Sequence, residues 1–179
     1  MKHSNRLIGF AIILVAASWM LPAQETGQQK PVIPLPNYVE LSSRLGSGGQ
    51  PTDAGMKELA EKGYKIVINL RTSSEEADLA AEEKQAMQLG LRYYAIPLDG
   101  KQPSETQAMA FNTLMSALKN DKVFVHCGSG NRVGSLMMIY FALEESMPLD
   151  KAEQEARKAG LRSAQLLEFA KQVIGRQKK

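Results

Sequence analysis

The chain has 179 residues, of which 44% are hydrophobic and 23% charged, ordinary values for a globular protein and a length that suggests one domain. The formal net charge is +3, and with Lys2 and Arg6 set aside 20 basic residues face 19 acidic ones, a balance that makes no electrostatic case for nucleic acid as a partner. There is one cysteine, Cys127, so an internal disulfide is excluded, and His126 is the only histidine beyond His3, too few such ligands for a zinc site.

The first residues read as an address. Lys2, His3 and Arg6 precede an apolar run from Leu7 to Leu21, followed by Pro22-Ala23-Gln24. A charged start, a short apolar stretch and a small residue are the parts of a secretory signal. The run is shorter than the roughly 20 residues a bilayer span needs. The expectation is a signal peptide over residues 1–23 and an exported protein, periplasmic or secreted. A retained N-terminal anchor is the alternative, and the membrane enters as a partner only in that case. Residues 24–36, polar and with three prolines, read as a tether, residues 37–175 as the domain, and 176–179 as a solvated basic tail.

Within the domain, a first strand is expected over Tyr38–Leu45, ending in a Gly46-Ser47-Gly48-Gly49-Gln50-Pro51 turn. Thr52 can cap a helix to about Lys62, with Gly63 as its stop. Lys65–Leu70 is a near-continuous apolar run, the pattern of a strand covered on both faces. Ser73 with Glu76 fits a capping box for a helix ending near Gly90. Arg92–Leu98 reads as a further strand, and Ser104 opens a helix to about Asn120. Val123–His126 is a short buried strand leading into Cys127. Helices over about 132–145, 149–159 and 163–174 complete the chain. Strands alternating with helices predict an α/β fold with a central, mainly parallel sheet flanked by helices.

The segment that carries chemistry is Val123-Phe-Val-His-Cys-Gly-Ser-Gly-Asn-Arg-Val-Gly-Ser135. A strand that ends in a glycine-rich turn before a helix aims backbone N–H groups into one small space, and the helix adds the positive end of its dipole. Gly128, Ser129, Gly130 and Asn131 would form that anion loop. Arg132 adds a planar fork able to grip two oxygens of a phosphate-like group. Donors that hold an anion also stabilise a thiolate, taking a cysteine from about 8.5 to between roughly 3.5 and 7.5. Cys127 then becomes a nucleophile placed where an oxyanion binds.

His-Cys-Gly-Ser-Gly-Asn-Arg resembles the active-site loop of cysteine-dependent phosphatases of the dual-specificity type. It is most similar to bacterial phosphatase-like domains found alone, fused to NAD kinase or fused to beta-lactamase-like hydrolases. The likeness continues through Gly48-Gly49-Gln50-Pro51, Val67-Ile68-Asn69-Leu70-Arg71, Tyr94-Ala95-Ile96-Pro97-Leu98-Asp99 and Ala156-Arg157-Lys158-Ala159-Gly160-Leu161. The resemblance implies a phosphatase fold, hydrolysis of a phosphoester on a protein or small molecule through a phosphocysteine, and no cofactor or metal. It implies that His126 orients the loop and supports the thiolate, and that Asp99, 28 residues before Cys127, is the general acid. Asp99-Gly100 also reads as a plain turn. Four residues separate Cys127 from Arg132, one fewer than in the usual phosphatase loop, and Val133 stands where that loop has a hydroxyl. Rhodanese-type sulfurtransferases use the shorter spacing, so a Cys127 persulfide is the rival chemistry. A phospho-ligand binding module without turnover is the third reading. Ser135 either replaces the missing hydroxyl or is a helix-surface serine. Arg71 either gathers an anionic substrate or forms a salt bridge.

Overall fold

The computed structural model describes residues 35–75 and 78–179. The expected signal segment and all of the tether except Leu35 and Pro36 lie outside them. Five strands form one sheet: β1 (Val39–Glu40), β2 (Leu45–Gly48), β3 (Ile66–Asn69), β4 (Arg92–Ala95) and β5 (Val123–His126). Their order is β1-β2-β5-β3-β4, parallel except for β1, which runs antiparallel along the edge. Six helices flank it among the described residues: α1 (Asp53–Glu61), α2 (Leu79–Gln88), α3 (Glu105–Ala117), α4 (Asn131–Leu143), α5 (Leu149–Lys158) and α6 (Ala164–Gln177). This is the α/β architecture that the alternation predicts.

Strand alternation decides which helices cover which face. Ile66, Ile68 and Leu70 of the β3 segment, with Val123, Val125 and Cys127 of the β5 segment, pack with residues of α3, α4, α5 and α6. Val67 and Phe124 point the other way, into Met56, Leu59 and Ala86 of α1 and α2. Both β3 and β5 are buried along their whole length, as expected of strands covered on two sides. Met115, Met137 and Met138 fill the larger core, with Met109 at its margin.

The glycine-rich stretch after the first strand is a correction to the reading as a turn. Gly46, Ser47 and Gly48 belong to β2, buried and paired in parallel with Phe124, Val125 and His126. A Cβ on Gly46 would lie 2.2 Å from the Tyr64 hydroxyl. The glycine serves close packing there. The helix start expected at Ser73 is a second correction, while Glu76 of the expected capping box lies outside the described residues. Ser73–Glu75 is a single 3-10 turn, and α2 starts later, with Asp78 Oδ1 accepting from the Ala81 amide. The helix after Ser104 ends at Ala117, three residues short of its expected stop. The end of the last helix is a third correction: α6 continues to Gln177, three residues beyond its expected stop, so the exposed tail residues Arg176 and Gln177 are helical, with Arg176 Nε 2.8 Å from Glu105. At the other end Leu35 is buried and Pro36 accepts a hydrogen bond from the Gly49 amide, so these last tether residues pack on the domain.

The catalytic-type loop leaves the C-terminal end of β5 and enters α4, which lies centrally between α3, α5 and α6. Gly134 allows α4 to press on the corner after α5: an added Cβ would lie 2.5 Å from both the Ala156 carbonyl oxygen and the Leu161 amide nitrogen. These are backbone atoms that cannot swing aside. Gly134→Ala should therefore destabilise the fold by about 1–3 kcal/mol. Gly175→Ala in α6, where nothing lies within 4 Å, should stabilise it by about 0.5–1 kcal/mol. Denaturant unfolding of both variants checks the contrast, and equal effects would refute the close-packing account.

Candidate active site

The loop's carbonyls are bonded to residues outside it. The Gly128 carbonyl accepts from the Gln50 amide at 3.3 Å, and the Ser129 carbonyl from Asn37 Nδ2 at 3.0 Å. At the root, the His126 carbonyl accepts from the Leu70 amide at 2.9 Å, and the Cys127 amide donates to Gly48 at 3.4 Å. Gly130 adopts φ +90° as the residue before α4, a conformation that favours glycine. Its amide donates to Cys127 Sγ at 3.1 Å. Asn131 works outward: its Oδ1 accepts from the Arg162 and Ser163 amides at 2.8 and 3.1 Å, tying the loop to the start of α6.

Arg132 sits one residue into α4 with its side chain largely buried. Its Nη1 donates to the Leu70 and Leu98 carbonyls at 3.2 and 3.0 Å and to Glu75 Oε1 at 2.5 Å, and its Nη2 donates to Glu75 Oε2 at 2.6 Å. Glu75 also accepts from the Thr72 amide and hydroxyl, at 2.8 and 2.9 Å. The Arg132 fork, helped by Thr72 and opposed by partial burial, pulls the Glu75 carboxyl down to about 2. Burial works against the Arg132 charge, but Glu75 and Cys127 more than offset it and hold the guanidinium above its ordinary value. The Nε edge of the fork takes no part in the Glu75 pair.

In front of Arg132 opens a cavity of about 490 Å³ lined by Thr72, Glu75, Asp99, Lys101, Ser129 and Ser163 among others. Asp99 is exposed, and its Oδ1 accepts from the amides of Lys101 and Gln102 at 2.7 and 3.3 Å. It is therefore both a turn residue and a carboxylate on the wall that faces Arg132. Cys127 itself is 1% exposed and is not among the residues that line this cavity.

His126 points to the opposite face of the sheet, stacked on Phe124 with ring centroids 5.9 Å apart. Its Nε2 lies 2.7 Å from Glu82 Oε1, at hydrogen-bond distance but not aligned for a straight bond. Burial alone would raise the Glu82 carboxyl. Its His126, Gln50 and Arg71 neighbours overcome that and hold it below the ordinary value.

Cys127, Gly128, Ser129, Gly130, Asn131, Arg132 and Asp99 are thus brought to one end of the sheet, with His126 behind it. Ser135 fits neither expectation: it is fully buried and donates to the Leu166 carbonyl at 2.8 Å, so it joins helices and offers no hydroxyl to Cys127. Arg71 lines a second cavity behind the loop with Gln50 and Glu82. Sequence reasoning missed Glu75, Glu82 and Asn69. Asn69, a polar residue ending an apolar strand, was a signal; Glu82, one of two adjacent acids on α2, was not.

Residues 36–174 match the family model described as DSP-PTPase phosphatase fused to NAD+ kinase. The chain belongs to that family. Beta-lactamase hydrolase-like proteins from two strains of Xylella fastidiosa, Temecula1 and 9a5c, are each 31% identical over 118 residues, covering 64% of this chain and 27% of theirs. The chain therefore spans about a quarter of the length of these relatives. In fold it is similar to the crystal structure of a DUF442 protein from Shewanella putrefaciens CN-32, with TM-score 0.70 and 24% identity over 80% of this chain and 94% of that one. It is also similar to the core catalytic domain of the PP-IP phosphatase SIW14 from S. cerevisiae, with TM-score 0.63 and 18% identity over 79% and 87%. Family and fold alike are those of cysteine phosphatases.

The Glu75–Arg132 pair gives a pH prediction. Glu75 is held at about 2 in the folded chain against an ordinary 4.5, so the folded state binds fewer protons than the unfolded one as pH falls. Its contribution to stability is complete above about pH 4.5 and is lost as pH falls towards 2. Parent and Glu75→Gln should differ in unfolding free energy at neutral pH and converge over that window, as denaturation at stepped pH would show. A difference constant from pH 6 to pH 2 would contradict the assignment.

Proposed function

We propose that this chain is a phosphatase that hydrolyses a phosphoester through a phosphocysteine on Cys127. The observation that carries the reading is the contact of the Gly130 amide with Cys127 Sγ beside the buried Arg132 fork. The Gly130 amide and the Arg132 guanidinium both interact with this one sulfur, which places the nucleophile beside the group that would grip a phosphate. Glu75 supports the same reading by what it leaves free. It takes one edge of the guanidinium, and the Nε–H and a remaining Nη2–H form the other edge, suited to two oxygens of a phosphate.

The steps then balance as follows. The Cys127 thiolate attacks phosphorus, a P–S bond forms and the P–O bond to the leaving group breaks. Arg132 and the loop amides hold the equatorial oxygens, and Asp99 gives its proton to the departing oxygen. Water then attacks phosphorus and passes a proton to the Asp99 carboxylate. The P–S bond breaks, releasing inorganic phosphate and restoring the thiolate. Glu75, ionised down to about 2, serves as the clamp of Arg132 and not as the acid.

Purified residues 24–179 should release nitrophenol from para-nitrophenyl phosphate, and Cys127→Ser should abolish it. Asp99→Asn should slow an alkyl phosphate by about 10²–10⁴-fold and para-nitrophenyl phosphate much less, because nitrophenolate leaves without a proton. Equal losses on both substrates would remove Asp99 from the acid role. Thiosulfate and cyanide in parallel test the short-loop rival: thiocyanate without nitrophenol would replace the phosphatase reading with sulfur transfer, and silence in both assays would leave a phospho-ligand binding module.

We also infer export, from the leader. No helix among the described residues is long and apolar enough to cross a membrane. N-terminal sequencing of protein from the periplasmic or secreted fraction should begin at Gln24, while an intact leader in the membrane fraction would establish the anchored alternative.

A further inference from the structure

Gln50 follows the two glycines of the Gly48-Gly49-Gln50-Pro51 segment, and the reaction as derived leaves it without a task. Its surroundings give it one. The Gln50 backbone amide donates to the Gly128 carbonyl at 3.3 Å. Its side-chain Oε1 accepts from Arg71 Nη1 at 2.7 Å, and its Nε2 donates to Glu82 Oε2 at 3.0 Å. Each of these partners leads to one end of the catalytic loop. Glu82 Oε1 meets His126 Nε2 at 2.7 Å, immediately before Cys127. Arg71 Nη2 donates to the Glu75 carbonyl at 2.6 Å, and the Glu75 carboxylate holds Arg132. Asn69 secures the same layer, with its Nδ2 on Glu82 Oε2 at 3.0 Å and its Oδ1 on the Arg71 amide at 2.7 Å.

The choice of glutamine follows from the charges it joins. Arg71 needs an acceptor and Glu82 needs a donor, and a single side-chain amide supplies both. A glutamate in its place would satisfy Arg71 but set a second carboxylate against Glu82. A lysine would do the reverse. The amide is the neutral link between Glu82 and Arg71 in a series of His126, Glu82, Gln50, Arg71, Glu75 and Arg132, in which each group is bonded to or touches the next.

We propose that Gln50 is a positioning residue for the Cys127 chemistry, holding the His126 end and the Arg132 end of the loop at a fixed separation while its backbone amide ties down Gly128, the residue after the nucleophile. A loop with only four residues between nucleophile and arginine has little slack, and a misplacement of about 1 Å at a reacting centre can cost on the order of 10²-fold in rate. The effect of Gln50 on turnover rests on the phosphatase reading. Its effect on the thiolate does not.

The test uses Gln50→Leu, close in size and without polar atoms, and Gln50→Glu, which keeps the Arg71 bond alone. The backbone bond to Gly128 survives in both. Three readouts apply: kcat/KM on para-nitrophenyl phosphate, competitive inhibition by inorganic phosphate, and the pH dependence of alkylation by iodoacetamide, which in a chain with one cysteine reports Cys127 alone. Gln50→Leu should lower kcat/KM by about 10–100-fold, weaken inhibition by phosphate and move the alkylation midpoint to higher pH, while melting within a few degrees of the parent. Gln50→Glu should fall between the two. Folded variants with all three readouts at parent values would overturn the proposal, as would losses in both variants that only track unfolding. If the parent itself hydrolyses nothing, the phosphatase reading fails, and the alkylation profile still decides whether Gln50 positions the loop.

Discussion

A short loop can turn its amides towards one anion only if its carbonyls are bonded elsewhere, and that constraint organises this domain. The Gly128 and Ser129 carbonyls are taken by Gln50, just after β2, and Asn37, just before β1. That is why β2 must lie directly beside β5, and why the glycines of β2 matter. Tyr64 presses on Gly46, and a Cβ on Gly49 would come within 2.8 Å of the Gly128 carbonyl. The sheet order β1-β2-β5-β3-β4 places the loop between two parallel neighbours, β2 and β3, whose C-terminal ends supply its supports on either side.

Hydrophobic burial builds the two layers around the sheet, but it does not choose the conformation of the loop. That choice falls to a polar set behind β5. Glu82, Asn69 and His126 are buried, and each would be costly there without partners. The cost is offset because each bonds or touches another member of the same set. The arrangement is rigid for that reason: removing one member leaves the next with an unmet charge or hydrogen-bonding group. Phe124, held between Tyr38 and Tyr64 and stacked on His126, closes this layer on its apolar side.

The parts legible in the sequence were those with local rules. The buried strands β3 and β5, the Thr52-capped helix, the Gly63 stop and the Cys127–Arg132 loop follow from periodicity, capping and turn chemistry over a few adjacent residues. What was not legible depended on distance. Gly46 to Gly49 carry the composition of a turn, and only the approach of Tyr64 and of the Gly128 carbonyl makes them strand and support. Glu75 lies in a stretch with the spacing of a helix start, and nothing local marks it as the partner of a guanidinium 57 residues later on α4. Ser135 looked like a surface position by spacing, and the packing of α6 over α4 buried it.

The hydroxyl expected after the arginine of such a loop is Val133 here, fully buried in the core, and Ser135 is committed to α6. No hydroxyl on α4 therefore faces Cys127, and the sulfur's polar neighbours are the Gly130 amide and Arg132. These groups act through fixed backbone and a clamped guanidinium, so their effect is set by how accurately the loop is held. A side-chain hydroxyl can rotate to follow a shifting sulfur; a backbone amide cannot. The short loop thus moves the burden from a mobile donor near the nucleophile to the residues that hold the loop still. In this chain those residues are Gln50, Arg71, Glu75 and Glu82.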